Sequence, residues 1–129
     1  RRVLFRSFGV EVMSTETLIV VESPLDVPRL AAAGYPGAIS TFGAIPSDEQ
    51  AKIMRRSQKV IAAFDKDEAG RHANELMRGY ARKYGLELSY FNYTGIDVKD
   101  PGDMTEQEIK QGIDTARDMI YGKDAFTWV

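Results

Sequence analysis

Lys59-Val60-Ile61-Ala62-Ala63-Phe64 is a short apolar run that breaks at once into Asp65-Lys66-Asp67-Glu68-Ala69-Gly70. A continuous run of this length, bounded by turn residues, reads as a strand buried on both faces. The period then changes. Ala69, Ala73, Leu76, Met77, Tyr80 and Tyr84 recur at helical spacing, and Gly85 is placed to stop the helix. A buried strand feeding a long amphipathic helix is half of a crossover unit between parallel strands.

The same alternation extends in both directions. Thr17-Leu18-Ile19-Val20-Val21 is another buried strand, rich in β-branched residues. Gly37-Ala38-Ile39-Ser40-Thr41 is a weaker strand ended by Gly43, and Leu86 to Phe91 is a fourth. Ser47-Asp48-Glu49-Gln50 and Thr105-Glu106-Gln107-Glu108 both fit the capping box, in which a hydroxyl and a side-chain oxygen satisfy first-turn amides reciprocally. After the second box, Ile109, Ile113, Ala116 and Ile120 share one helical face. The order is strand, helix, strand, helix, strand, long helix, strand, loop, helix. It predicts an α/β domain over residues 15–120, with a mostly parallel sheet of about four strands flanked by helices. Residues 1–14 are expected to form an extension, edge strand or hairpin. Residues 121–129 form a tail whose apolar end, Phe126-Thr127-Trp128-Val129, packs on the domain or docks on a partner.

Composition narrows the chemistry. Of 129 residues, 43% are hydrophobic and 10% aromatic, enough for a sizeable core in one domain. Lys and Arg number 17 against 19 Asp and Glu, so the formal charge is −2 and a basic arm coating nucleic acid is not the main design. There is no Cys and one His, which excludes disulfides, thiolate catalysis, Cys-ligated zinc and His-rich metal sites. A metal here must be a hard cation held by carboxylates. No apolar run approaches a membrane span, and the opening Arg1-Arg2-Val3-Leu4-Phe5-Arg6-Ser7 is too interrupted for a signal peptide. A soluble cytoplasmic protein is the expectation. The first residue is Arg1 rather than Met, which fits a piece of a longer chain.

Carboxylates stand where such a sheet binds ligands, beyond the carboxyl ends of its strands. The first strand runs into Glu22, the third into Asp65 and Asp67, and the loop after the fourth holds Asp97, Asp100 and Asp103. In extended backbone, residues i and i+2 point the same way, which sets Asp65 and Asp67 side by side. Like charges that close need a proton or a cation between them, and Mg²⁺ is the first candidate. Asp at a strand end serves equally as turn chemistry or a helix cap. The combination with Glu22 favours ligation. Asp26 fits either a site or a cap near Pro28, while Asp100, held extended by Pro101, suits a loop ligand. Gly70 is placed to let the helix approach the sheet, where its N-terminus attracts phosphate. Arg71 either faces a phosphate or lies on the helix surface. Lys66 should point away from the carboxylates. His72 carries no assigned chemistry. Lys52, Arg55, Arg56 and Lys59 form a solvated charged face or a nucleic-acid contact.

These residues resemble a known family. Leu18-Ile19-Val20-Val21-Glu22-Ser23-Pro24-Leu25-Asp26-Val27 is similar to the first motif of Toprim domains, and Phe64-Asp65-Lys66-Asp67-Glu68-Ala69-Gly70-Arg71 to the second. Between them, Gly34, Ser40-Thr41-Phe42-Gly43-Ala44 and Glu49-Gln50 resemble the linking stretch of bacterial-type (DnaG-type) primases. Val98-Lys99-Asp100-Pro101-Gly102-Asp103 resembles their later acidic loop. There are departures. Ser23 stands where primases usually have Gly, and Glu22-Ser23-Pro24 looks more like type IA topoisomerases. Those enzymes, however, follow the Asp pair with Arg-Glu-Gly-Glu rather than Glu68-Ala69-Gly70-Arg71. Gly102 is an extra residue before Asp103.

The resemblance implies the three-layer, Rossmann-like Toprim fold. It implies Mg²⁺ or Mn²⁺ bound by Asp65, Asp67, Glu22 and Asp100, with Glu22 also a catalytic acid/base group. Asp26, Asp103 and Asp97 are then supporting carboxylates, and Gly70 and Arg71 lie on the phosphate approach. The implied activity is that of a primase catalytic domain, of phage type among the options. It makes RNA primers from nucleoside triphosphates on a single-stranded DNA template, with a replicative helicase or separate primase subunit as partner. A standalone Toprim nuclease and a non-catalytic Toprim-like binding module use the same residues and remain the alternatives. The isolated chain, with no basic template channel of its own, is expected to synthesise little primer.

Overall fold

The computed structural model describes residues 2–5, 10–13, 17–41, 46–98 and 100–118. Its centre is a five-stranded sheet. Strands β3 (Thr17–Val21), β4 (Ala38–Ser40), β5 (Lys59–Ala62) and β6 (Leu88–Tyr90) are parallel, and a short β7 (Arg117–Asp118) closes one side antiparallel to β6. The spatial order is β4-β3-β5-β6-β7. Strands β1 (Arg2–Phe5) and β2 (Val10–Met13) pair antiparallel with each other, apart from this sheet. The predicted α/β class, and the four parallel strands within it, are what the chain adopts. The predicted tail at 121–129, with Phe126 and Trp128, lies outside the described residues, as do Phe42, Gly43, Ala44, Lys99 and Ile120.

Alternation along the strands builds two cores. Leu18, Val20, Val60, Ala62, Leu88 and Tyr90 face α2 (Asp48–Met54) and α3 (Glu68–Tyr84). Ile19, Val21, Ala38, Ile61 and Ala63 face α1 (Asp26–Ala32) and α4 (Glu106–Asp114) through Leu30 and Ile109. Helices thus cover both faces, the three-layer arrangement. Burial of each large aliphatic side chain contributes about 1.5–3 kcal/mol, which makes these strands the stable frame.

Helix ends follow the local sequence. Both capping boxes form: Ser47 and Thr105 accept from the amides of Gln50 and Glu108, whose side chains reach back. Gly85 stops α3 in the left-handed conformation, φ 72°. Helix α4 departs from expectation. Its predicted face runs on to Ala116 and Ile120, but the helix ends at Asp114. The Gly112 carbonyl, which would accept from Ala116, accepts instead from the Asn92 amide at 3.1 Å, and Ala116 turns back to Ile113 at 3.2 Å. A tertiary bond thereby ends the helix and frees Arg117 and Asp118 to pair with β6.

Chain order and spatial order also fix a reversal. From β3 the chain goes outward to β4, returns past β3 to β5, and continues to β6. The crossovers on the two sides of the β3–β5 boundary lie on opposite faces, which leaves an opening at the carboxyl ends of that pair.

Two glycines separate close approach from mere tolerance. A Cβ on Gly112 would fall 2.0 Å from the buried Phe91 ring, whereas one on Gly79, mid-α3, meets nothing within 4 Å. Gly112→Ala should therefore cost about 1–3 kcal/mol by overpacking. Gly79→Ala should gain about 0.5–1 kcal/mol through helix propensity. Urea midpoints moving in opposite directions are the expected result.

Candidate functional site

Glu22 follows directly on β3 and Asp65 lies three residues past the end of β5, at the strand pair where the sheet order reverses. The Asp65 amide donates to Glu22 Oε1 at 3.0 Å, bridging the two strand ends. The end of β3 is anchored to β4 by Ser40 Oγ, which donates to the Glu22 carbonyl at 2.9 Å, and by the Thr41 amide, which donates to the Val21 carbonyl at 2.9 Å. The end of β5 is held by Tyr93, whose hydroxyl donates to the Phe64 carbonyl at 2.7 Å.

Asp65 stands in an acidic neighbourhood. Burial, then the charges of Glu22, Asp100 and Asp26, with Asp67 last, push its carboxyl from 3.8 up to about 7. Its Oδ1 is buried with no hydrogen-bond partner among the described residues. Asp67 turns to its own helix. It is the N-cap of α3, and its Oδ1 accepts from the Gly70 amide at 2.8 Å. The two carboxylates of the Asp-x-Asp motif therefore differ: one faces the cluster, and the other holds the helix that follows. Gly70 makes the approach expected of it, since a Cβ there would stand 1.8 Å from the Asp65 carbonyl oxygen.

Asp26 opens α1 and is 2% exposed. The cap position is Leu25, so Asp26 is not the cap. Burial, the Asp100 charge and a hydrogen bond shared with the Asp100 carboxyl raise it to about 6, against the lowering effect of the Gly102 and Ser23 amides. Its Oδ2 has no partner among the described residues. The extra glycine of the loop makes this pairing possible. A Cβ on Gly102 would lie 2.5 Å from Asp26 Oδ1 and 3.0 Å from Asp100 Oδ1. Asp100 precedes a 3₁₀ turn at Pro101–Asp103 with extended backbone, as Pro101 dictates. Asp103 and Asp97 are exposed. Asp103 lines the wall of a cleft of about 290 Å³ with Ser23, Leu25, Asp26, Asp100 and Gly102, while Asp97 lies outside it.

Three residues not singled out from sequence for this role hold the cluster together. Tyr93 is buried, and its hydroxyl pKa is raised well above 10.0 by burial and then by Asp65, Asp26, Asp100 and Glu22. One ring thus feels all four carboxylates. Arg29 donates to the Met104 carbonyl at 3.1 and 2.6 Å, tying α1 to the loop that carries Asp100. Gly102 permits the Asp26–Asp100 approach. Lys66 points away, as expected, and donates to the Ile96 carbonyl at 3.0 Å. Arg71 sits one turn into α3, 3.8 Å from the exposed Glu68.

Whether a hard cation suits this edge is a matter of its orphaned oxygens. Two buried carboxylate oxygens, Asp65 Oδ1 and Asp26 Oδ2, lack donors among the described residues, and both carboxyls have raised pKa values. A proton or a cation relieves both strains. Among the described residues no group of three carboxylates forms a ready metal cage. An ion there would take one or two protein ligands and fill its shell with water or phosphate oxygens, the habit of Mg²⁺.

The comparisons with known proteins agree with this geometry. The family model described as Toprim-like matches residues 19–105. A DNA primase of Borreliella burgdorferi is 30% identical over 122 residues, covering 92% of this chain and 22% of that protein. The E. coli primase catalytic core superposes with a TM-score of 0.66 at 26% identity, over 82% of this chain and 36% of that one. A DnaG primase catalytic domain bound to single-stranded DNA gives 0.68 at 24% identity, over 82% and 35%, a likeness of fold. The chain thus spans well under half the length of these three relatives. Among the described residues no helix is long and apolar enough to cross a membrane.

The raised carboxyl pKa values predict an inverted pH profile for the metal-free protein. Asp65 and Asp26 hold protons when folded at pH values where the unfolded chain has released them. Their contribution is present in full below pH 3.8 and is lost as pH rises through about 6 and about 7. With EDTA present, the urea midpoint should fall between pH 5 and pH 8. Asp65→Asn should flatten that slope and be the more stable protein at pH 8. A wild-type profile level across the range contradicts the assignment.

Proposed function

The chain belongs to the Toprim-like family, and from that premise we propose that it is the catalytic Toprim domain of a DNA primase, binding Mg²⁺ or Mn²⁺ for RNA primer synthesis in DNA replication. The observation that carries this reading is the pair of buried carboxylate oxygens on Asp65 and Asp26 that have no partner among the described residues. They face a common edge with Glu22 and Asp100, where the sheet order reverses. Similarity to proteins named DNA primase selects nucleotidyl transfer among the reactions such an edge supports.

The ion's ligands in this reading are Asp65 and Glu22, with Asp100 and Asp67 completing the acidic edge. When bound, Mg²⁺ neutralises triphosphate oxygens and lowers the pKa of the attacking 3′-hydroxyl. The chain's own groups prepare the place. Glu22 is fixed by the Asp65 amide, so its carboxylate is held beside the opening rather than left to rotate. In this reading Glu22 is also the acid/base group. Asp67 holds the N-terminus of α3 toward the site, and the amides of that first turn favour a phosphate arriving past Gly70 and Arg71. Burial and the Asp100 charge raise the Asp26 carboxyl to about 6, and a cation at this edge would favour its ionised form. The substrates are nucleoside triphosphates and a single-stranded DNA template, in keeping with the relative captured on single-stranded DNA. Template-holding surfaces, and a replicative helicase or separate primase subunit, complete the assembly.

Calorimetric titration with Mn²⁺ at pH 8 checks the site. Asp65→Asn and Glu22→Gln should each weaken binding at least about tenfold, equivalent to about 1.4 kcal/mol. Asp103→Asn should leave it near the unaltered value. Asp67→Asn should keep the fold, because Asn caps helices as well as Asp. Unchanged affinity in the Asp65→Asn, Glu22→Gln double variant removes the metal site. With a template-binding region supplied, incorporation of labelled ribonucleotide should then depend on Glu22. Strand cleavage without any synthesis would instead mark a nuclease.

A further inference from the structure

The end of the domain opposite the carboxylates carries the reverse charge. The Arg55–Gln58 turn leads from α2 into the start of β5, and Tyr84 ends α3 just before β6. Both therefore lie toward the amino ends of the strands. There Lys52, Arg55, Arg56 and Tyr84 line a cleft of about 430 Å³, with no carboxylate in its wall among the described residues. In a chain of net charge −2, three cations around one ring are a local concentration.

The ring is held in place. Tyr84 donates its hydroxyl to Asp48 Oδ2, and Lys52 and Lys83 stand 5.9 and 5.2 Å from its centroid. Asp48, the nearest acid, is itself engaged by Lys83 at 3.2 Å and Lys52 at 3.9 Å, which holds its carboxyl below the usual range together with the Tyr84 hydroxyl bond. It sits half-buried at the start of α2 and so offsets the cleft only in part. Arg55 and Arg56 are exposed beyond the last turn.

We infer that this cleft binds the phosphate backbone of single-stranded nucleic acid, at a site separate from the acidic edge. The inference deepens the primase reading and rests on it for the class of macromolecule. Guanidinium forks match phosphate oxygens, and cations beside a fixed aromatic ring form the pattern of single-strand grooves. The volume suits a nucleotide unit rather than one carboxylate. With the acids on the opposite edge of the sheet, a strand held here would be kept off the repulsive carboxylates until a cation neutralises them.

Fluorescence anisotropy of a labelled oligothymidylate in EDTA at low salt isolates this site, because no metal is present for the acidic edge to use. Arg55→Gln and Lys52→Gln should each weaken binding about threefold to tenfold and lower the slope of log affinity against log salt by about 0.7. Asp65→Asn should bind as well or better. Tyr84→Phe keeps the ring without the Asp48 bond and should bind more tightly than Tyr84→Leu. Urea midpoints establish that each variant is folded. Unchanged affinity and slope in both the Arg55 and Lys52 variants overturn the inference, as does an unaltered chain that does not bind. Displacement by polyglutamate as effective as by unlabelled strand assigns the cleft to an acidic protein partner and overturns it too. Competition by nucleoside triphosphate at equal phosphate concentration, with no dependence on strand length, refutes the strand in favour of free nucleotide. Loss of Mn²⁺ binding at Asp65, with oligothymidylate binding intact, separates failure of the metal reading from failure of this one.

Discussion

Two parallel strands that lie side by side, yet whose helices leave on opposite faces, must part at their ends. The bond from the Asp65 amide to Glu22 spans the gap where β3 and β5 do so. Glu22, Asp26, Asp65 and Asp100 are arranged around that gap. The register of β3 on β5, Ile19 opposite Ile61 and Val20 opposite Ala62, brings Glu22 out one residue short of Asp65, within reach of the Asp65 amide. A slip of one residue would exchange the two faces of a strand whose interior positions are all buried, so the hydrophobic core enforces the placement of the carboxylates. Packing and chemistry are in this sense one constraint.

That constraint opposes electrostatics. Burial and neighbouring charge hold Asp65 and Asp26 well above ordinary carboxyls, so once both are ionised the cluster works against the fold. Neutral and cationic groups fix the backbone around it without neutralising it. Tyr93, Lys66 and Arg29 all donate to main-chain carbonyls, not to the carboxylates. A lysine or arginine turned onto Asp65 would quiet the repulsion and occupy the place a cation needs. Among the described residues Asp65 Oδ1 and Asp26 Oδ2 find no donor while Tyr93, Lys66 and Arg29 are engaged with main-chain carbonyls, which is how a site preorganised for a ligand differs from an ion pair.

Much of this was legible in the residues. The strands at Thr17–Val21 and Lys59–Ala62 announce themselves by continuous β-branched and apolar character, and the acids that follow them fall at their ends by simple counting. Asp67 shows the limit. The period-two rule sets it beside Asp65, but the free amide of Gly70 lies three residues ahead and takes its oxygen, so a cap outcompetes the extended geometry. Gly102 reads as a disruption of the acidic loop, yet its lack of a side chain is what lets Asp26 and Asp100 meet. Helix α4 stops early because Asn92, twenty residues before Gly112 in sequence, takes a carbonyl that the helix would use. Tyr93 and Arg29 are hidden for the same reason. Their bonds join residues 29 and 75 positions apart, and no local pattern encodes such partners.

The bond from Arg29 to Met104 has a consequence during synthesis. A nascent chain that has emerged only as far as residue 98 already contains β3, β5 and β6 with their helices, so the sheet can form with Glu22 and Asp65 in place. Asp100, Gly102 and the carbonyl that receives Arg29 arrive after it. Ribosomes add about 5–20 residues per second, so these residues follow β6 within about a second or two. The repulsion is therefore introduced when the face covered by α2 and α3 can already pack, while Met104 and Ile109, which complete the core on the other face, follow Asp100 along the chain.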